Sequence, residues 1–406
     1  MPSAPFTARF LPRIAEVDAA VWNALAGADY PFIRHEFLLA LEQSGCVGAR
    51  SGWRPQHMLI SRDGDERPIA CMPLYLKTNS MGEYVFDWSW ADAYERHGQS
   101  YYPKLLTAIP FTPCAGPRLC VDASVSLESI VPVALAAIEQ LAETRELSSW
   151  HLLFPEPALR DQLTDAGLLQ RSGCQYQWFN ADYRDFDHFL ETFSSRKRKN
   201  LRKERARVGE AGIEFDLLEG AGITDEHWQH FFRFYQSTYF VRGRAPYLNV
   251  DFFQLLGRTM PERLLLVLAR KDGEHIAGAL FFKGSNTLYG RYWGCTEEYQ
   301  FLHFETCYYQ GIDYCIRNGI ARFDSGAQGE HKIQRGFKPV PTWSAHWIRH
   351  PDFARAIAQF VQEEARHIEA YMAHASEFLP FRRDLELPGT FPALDQEQTL
   401  QQGRAD

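Results

Sequence analysis

The chain has 406 residues, too many for one ordinary core of about 100–150 residues, so two domains are the simplest expectation. Hydrophobic residues make up 45% and charged residues 23%, which excludes a disordered chain. The net charge of −8 excludes a general attraction to nucleic acid, and no segment approaches the ~20 apolar residues of a membrane span.

The N-terminal stretch carries Arg9 and Arg13 but no apolar run of signal-peptide length, so a cytoplasmic protein without stable membrane insertion is expected. The eight cysteines form no CxxC or CxxH pair, so the spacing signals neither a metal site nor a disulfide framework. They read as reduced thiols.

From His57, HMLISRDGDERPIACMPLYLK reads as a strand, an Asp-Gly turn and a strand. From Leu264, LLLVLARKDGEHIAGALFFK reads the same way. Ile69 and Ile276, Asn79 and Asn286, and Tyr102 and Tyr309 all stand 207 residues apart, which points to an internal duplication. The expected domains are 1–170, 171–350 and a tail, 351–406, that opens with an amphipathic helix and ends in a polar segment after Pro388.

Between Arg196 and Arg207 there are eight basic residues against one acid, Glu204, on a segment without a breaker before Gly209. Helix cations usually alternate with acids, so this surplus is either a solvated face or a surface for phosphates, with Arg198 and Arg202 on one side.

In the second copy, the strand TLYGRYWGC contains Tyr292 and Trp293 and leads to HFETCYYQGIDYCIRNG, a helix with one apolar face. The strand IARFD follows. A hairpin feeding a β-α-β crossover, after the aromatic helix DEHWQHFFRFYQSTYF, is the element order of a GNAT domain. The fold class expected is α+β, two tandem GNAT-like domains plus the C-terminal helix.

After Asp324 comes SGAQGEHKIQRGFKP, where Gly326 and Gly329 permit tight turns and Lys332, Arg335 and Lys338 recur every third residue. Acyl transfer to an amine passes through a tetrahedral oxyanion, and Lys332 is the candidate cation to meet it. Gln328, Glu330, His331 and Arg335 crowd beside it as candidate substrate contacts. Lys332 is expected to point into a cleft lined by Tyr292, Trp293 and the start of the following helix. There His303 and Glu305 could take a proton from an attacking amine, and Glu305 equally suits the helix dipole. The junction TEEYQFLHFE lacks the glycine loop with which coenzyme A users normally cradle pyrophosphate.

The stretches PFIRHEFLLALEQSG, DWSWADAYERHGQSYYPKLLTAIPFTPCAGPRL, FYQSTYFVRGRAPYLN and FLHFETCYYQGIDYCIRNGIARFDSGAQGEHKIQRGFKP resemble the FemAB-like peptidoglycan biosynthesis/recognition family of N-acyltransferases, from about residue 6 to 380. The resemblance implies tandem GNAT enzymes that move an aminoacyl group from tRNA to an amine of a peptidoglycan precursor, with no metal and no tightly bound cofactor. Their basic helix is similar to Arg196–Arg207, and their aromatic-Lys motif resembles His331-Lys332, with histidine here in place of phenylalanine. The donor is either aminoacyl-tRNA or acyl-CoA, and the acceptor a small molecule or cell-wall precursor. The alternative is a non-catalytic module that recognises peptidoglycan or RNA on the same scaffold.

Overall fold

The computed structural model describes residues 6–327 and 329–382. The polar segment after Pro388 and Gln328 lie outside the described residues. The first half supplies strands β1 (Phe6–Leu11), β2 (Trp53–Pro55), β3 (His57–Arg62), β4 (Pro68–Met72), β5 (Tyr75–Lys77), β6 (Lys104–Thr107), β7 (Cys120–Val121), β8 (Ser149–Leu153) and β9 (Leu169–Phe179). The second supplies β10 (Glu214–Glu219), β11 (Leu264–Lys271), β12 (Glu274–Lys283), β13 (Thr287–Cys295), β14 (Arg322–Asp324) and β15 (Lys338–Ile348).

Two sheets result: β1-β3-β4-β7, and an 11-stranded sheet in the order β10-β11-β12-β13-β14-β9-β15-β8-β6-β5-β2. The larger sheet runs without a break through residue 170. Strand β9 pairs with β14 and β15, and β15 in turn pairs with β8 of the first half.

The unbroken apolar run of β11 has a simple cause. Leu264, Leu266 and Leu268 enter one core and Leu265 and Val267 the other, because both faces of this strand are covered. On β12, Leu280 and Phe282 divide from Ala279 and Phe281 in the same way. The first of these cores is shared between the halves: Phe32 packs on Phe282 at 4.9 Å and on Tyr289 at 5.2 Å. Aromatic burial on this scale contributes roughly 2–3 kcal/mol per ring, so the halves meet through a core rather than a wet interface.

The element order repeats. In both halves a hairpin (β3–β4, β11–β12) is followed by an antiparallel strand (β6, β13), a helix and a strand parallel to the previous one (β8, β14). The offset of 207 is corrected beyond the hairpin. Tyr101 and Tyr102 precede β6, whereas Tyr308 and Tyr309 lie within the helix after β13. An excursion between Asn79 and Lys104, including a helix at Trp88–Arg96, occupies the first half, so the equivalent crossover helix is Leu127–Thr144.

Asp225–Phe240 forms the aromatic helix, Ser195–Glu210 the basic helix and Pro351–Glu377 the C-terminal helix. Among the described residues, no helix is long and apolar enough to cross a membrane.

Candidate functional site

Strands β13 and β14 are paired over only three residues each, Thr287–Tyr289 with Arg322–Asp324, after which β13 runs on to Cys295 paired with β12 but not with β14. Register between β12 and β13 slips at this point. Leu280 faces Tyr292 and Phe281 faces Gly290, leaving Arg291 as an extra residue in a β-bulge. Its guanidinium is turned inward, donates to the Phe111 carbonyl at 2.8 Å and leaves Nε without a partner.

The loop after β14 closes over this opening. Asp324 is buried, and its Oδ1 accepts the Gly326 N–H at 2.9 Å, which starts a turn that positive φ at Gly326 and Gly329 completes. A 3₁₀ turn, Glu330–Arg335, follows and ends at Gly336, where φ is 86° and an added Cβ would meet Phe189 at 2.9 Å.

Lys332 lies within that turn and is 2% exposed. Its ammonium donates to the Gly326 carbonyl at 2.7 Å and the Ser325 carbonyl at 3.2 Å, leaving one N–H for another partner. Burial pulls its pKa down to about 8, against the opposing pull of Asp324. Ser325 Oγ, Arg291 Nε and Gln175 Oε1 are buried polar atoms without partners on the loop and the strands β13 and β9 next to it. Such atoms cost about 1–3 kcal/mol each when left dry, so their concentration marks a place meant to be filled by polar matter.

The other residues singled out from sequence divide into separate places. His303 packs against Trp293 at 5.2 Å, Tyr308 at 5.3 Å and His331 at 5.9 Å, and the Tyr308 hydroxyl bonds His331 Nε2 at 2.9 Å. Burial, then the nearby His331 and the Lys332 and Arg335 cations, push the His303 pKa down to about 4, so the ring is neutral near pH 7.

Glu305 is not beside it. Two residues on along the helix it points the other way, where Arg205 of the basic helix clamps it at 2.9–3.2 Å and Gln310 adds a bond at 2.8 Å. The expected pairing of His303 with Glu305 is therefore corrected: Glu305 anchors the basic helix. A π-helical turn at Glu305–Tyr309 puts Tyr309 on that same side, with its hydroxyl on Glu204.

Tyr292 and Trp293 are likewise separated, because successive strand side chains face opposite ways. Tyr292 packs on Tyr235 at 5.6 Å and Phe253 at 5.8 Å in the first core, and only Trp293 reaches the Lys332 side. Arg335 stacks 3.4 Å over Phe304 and pairs with Glu204 at 2.8 Å, which locks the loop to the basic helix.

On that helix Arg202 pairs with Asp187 at 2.9 Å, Arg205 with Glu305 and Asp313, and Arg207 with Glu210. Lys197 bonds Gln334. Among the described residues, Arg196, Arg198, Lys199 and Lys203 have no acidic partner, so about half of the surplus read from sequence remains available.

A cavity of about 420 Å³ opens between the halves and the C-terminal helix. Ala327, Gly329 and Glu330 of the Lys332 loop line it, together with Arg171 and Gln175 of β9 and Tyr371. Lys332 itself does not. Sequence reading missed Arg291, Asp324 and Gln175. An arginine between two glycines in an otherwise apolar strand, GRYWG, was the available signal for the first. All eight cysteines are free thiols, and among the described residues no group of three His, Cys, Asp or Glu is placed to hold a metal ion.

The architecture is that of a tandem GNAT-like protein, mixed α+β, with its two copies joined by one sheet. The chain belongs to the FemAB-like family, described as peptidoglycan biosynthesis/recognition, whose model matches residues 13–383. Among solved structures, FemX is 13% identical, with a TM-score of 0.53 over 87% of this chain and 100% of that one. The C-terminal (DUF2156) domain of a protein assigned as a lysylphosphatidylglycerol synthetase from Agrobacterium fabrum is 12% identical, with a TM-score of 0.53 over 85% and 95%. A comparison with curated protein sequences gives no match.

Proposed function

We propose that this protein is a cytoplasmic N-acyltransferase that moves an acyl or aminoacyl group onto an amine, with the Lys332 loop as the reacting centre. Family membership and the tandem GNAT fold support acyl or aminoacyl transfer on peptidoglycan-related substrates. The observation that carries the reading is the meeting of Lys332, Asp324 and the Arg291 bulge where β13 and β14 part.

In this reading the amine nitrogen attacks the acyl carbonyl carbon, the C–N bond forms and the carbonyl oxygen takes the negative charge. The remaining Lys332 N–H meets that oxygen. Collapse expels the donor's thiol or hydroxyl, which takes up the proton lost by the amine. His303, neutral and buried beside Lys332, is a candidate to pass that proton, and Trp293 walls the same side. Glu330, His331 and Arg335 hold the loop's shape against the C-terminal helix, Tyr308 and Glu204.

The unpaired cations of the basic helix and the glycine-free junction before Leu302 favour aminoacyl-tRNA over acyl-CoA as donor. We read residues 1–170, 171–350 and 351–406 as the two copies and the closing helix. A recognition module remains a second reading, favoured by one fact: two of the three Lys332 N–H groups are already spent on backbone carbonyls.

Mass spectrometry of ligands that copurify with the full chain separates the readings. An aminoacyl-tRNA or acyl-CoA together with an acylated amine supports transfer. A cell-wall fragment recovered unchanged after incubation with either donor supports recognition only.

A further inference from the structure

We infer that His230, His275 and Glu226 make a site for one divalent transition-metal ion of the zinc class, on the second half and apart from the Lys332 loop. It goes beyond the acyltransferase reading and stands without it.

Two of the donors already face each other. His230 lies in the first half of the aromatic helix and His275 near the start of β12, and their Nδ1 atoms stand 3.2 Å apart. The other nitrogen of His275, Nε2, meets the Asp216 carboxylate of β10 at 3.2 Å. A carboxylate there takes the Nε2 proton and leaves Nδ1 with its lone pair, which is how a metal-bound histidine is held by the acid behind it. Two nitrogens bound tetrahedrally to one ion at about 2.0–2.1 Å lie about 3.3–3.4 Å from each other. The spacing of this pair needs almost no adjustment.

The backbone sets where His275 emerges: β12 slips register against β11 at Ala269 and Arg270, and the bulge brings the ring to 5.5 Å from that of His230. Burial, then Arg233 and His275, hold the His230 pKa below its ordinary value, so this ring is neutral near pH 7 and able to ligate.

Three donors are not placed together among the described residues, and the third comes by rotation. Glu226 precedes His230 by one helical turn, and its exposed carboxylate has no hydrogen bond or ion pair among the described residues. A hollow of about 560 Å³, lined by Glu226, Gln229, His230 and Arg233, gives it room to turn and admits water to the fourth position. His227 stays out, because its Nδ1 accepts the Thr224 N–H at 3.1 Å and Nε2 keeps the proton. Two cations oppose the ion: Arg233 lines the hollow, and Arg270 shares Asp216 at 3.4 Å. Affinity is therefore moderate. The ion clips the start of a helix whose other end donates from Ser237 and Thr238 to the Cys295 and Trp293 carbonyls of β13.

The test is calorimetric titration of the full chain, first freed of metal by a chelator, with zinc chloride. One ion per chain should bind with a Kd of about 1–10 µM, and the unfolding midpoint should rise with zinc concentration. Cobalt chloride should give the visible absorption of a four-coordinate ion. His230→Ala and His275→Ala should each abolish saturable binding, while Glu226→Gln and Asp216→Asn should each weaken it about tenfold. No saturable uptake by about 1 mM zinc would leave a plain histidine–histidine hydrogen bond and overturn the site. Uptake that persists when both histidines are replaced belongs to other side chains and overturns it equally, as does unchanged affinity in Glu226→Gln.

Discussion

His151 on β8 and His346 on β15 sit directly opposite each other in the sheet and share a hydrogen bond of 2.7 Å between their Nδ1 atoms. One ring must donate and the other accept, so the bond cannot survive with both rings protonated, and burial disfavours a charge on either. Beyond them the bonds continue from His346 to Ser344 at 2.8 Å and from His151 to Tyr101 at 3.0 Å, and Tyr101 donates to Asp87.

Acid should therefore loosen this protein at its centre. Burial lowers the His151 pKa to about 3 and holds His346 well below its usual range. In the unfolded chain both take up a proton below about 6.5, whereas the folded pair does not, so stability falls as pH drops below that value. Urea unfolding should show a loss of up to about 1.4 kcal/mol per pH unit for each ring between pH 6.5 and 4, and His346→Gln should flatten that slope. An unchanged slope in the variant would contradict the assignment.

Lys104 carries a second buried polar centre. Its ammonium has no exposure and reaches Ser80 at 3.0 Å, Glu83 at 2.8 Å and Asp87. Burial pushes the Glu83 carboxyl up to about 7, while Lys104 overcomes the same burial at Asp87 and holds it below the usual carboxylate range. Lys104→Met strands Asp87 in the interior and leaves Glu83 only the Lys77 ammonium at 3.8 Å, and should cost about 3–5 kcal/mol in chemical denaturation. A loss under 1 kcal/mol would show the network to be dispensable.

Lys332→Ala should lower transfer about 10²–10³-fold once a substrate pair is in hand, the usual result of losing one oxyanion donor. It should also lower stability by about 1–3 kcal/mol, since the Ser325 and Gly326 carbonyls lose their donor. Lys332→Arg should rescue poorly, because a planar fork cannot place one N–H where a compact ammonium does. With the Lys332 pKa near 8, wild-type turnover should decline as pH rises through that value. A flat profile from pH 7 to 9.5 would remove the lysine from the chemistry.

For the basic helix, filter binding of tRNA at two salt concentrations separates paired from unpaired cations. Lys199→Glu and Lys203→Glu should weaken binding strongly, each reducing the salt slope, because these residues are exposed and have no acidic partner among the described residues. Arg202→Glu should act less, since its charge is already shared with Asp187, and Arg198→Glu should fall between them. Equal effects from all four would mean that the Asp187 pair is immaterial in solution.

The hairpins, the crossover helix and the glycine-rich loop were legible because each is written in contiguous residues with its own period and turn signals. Asp272-Gly273 takes the positive φ its dipeptide promises, at 51° and 86°. Constellations drawn from distant stretches were not. Lys104, Glu83 and His151 lie far apart in a chain whose fold alone joins them, and nothing local to any of them signals burial. The offset of 207 failed for a related reason: identical residue types at one spacing cannot register the extra helix at Trp88–Arg96 that displaces everything after it. Glu305 was misread because nearness in sequence on a helix, two positions from His303, means opposite sides in space.

Strand β15 has β9 on one edge and β8 on the other, so hydrogen-bond register, not a linker, sets the angle between the two copies. A clamshell motion would have to tear a ladder in the middle of an 11-stranded sheet. Pairing on both edges of β15 thus makes the junction of the two halves a rivet and not a hinge.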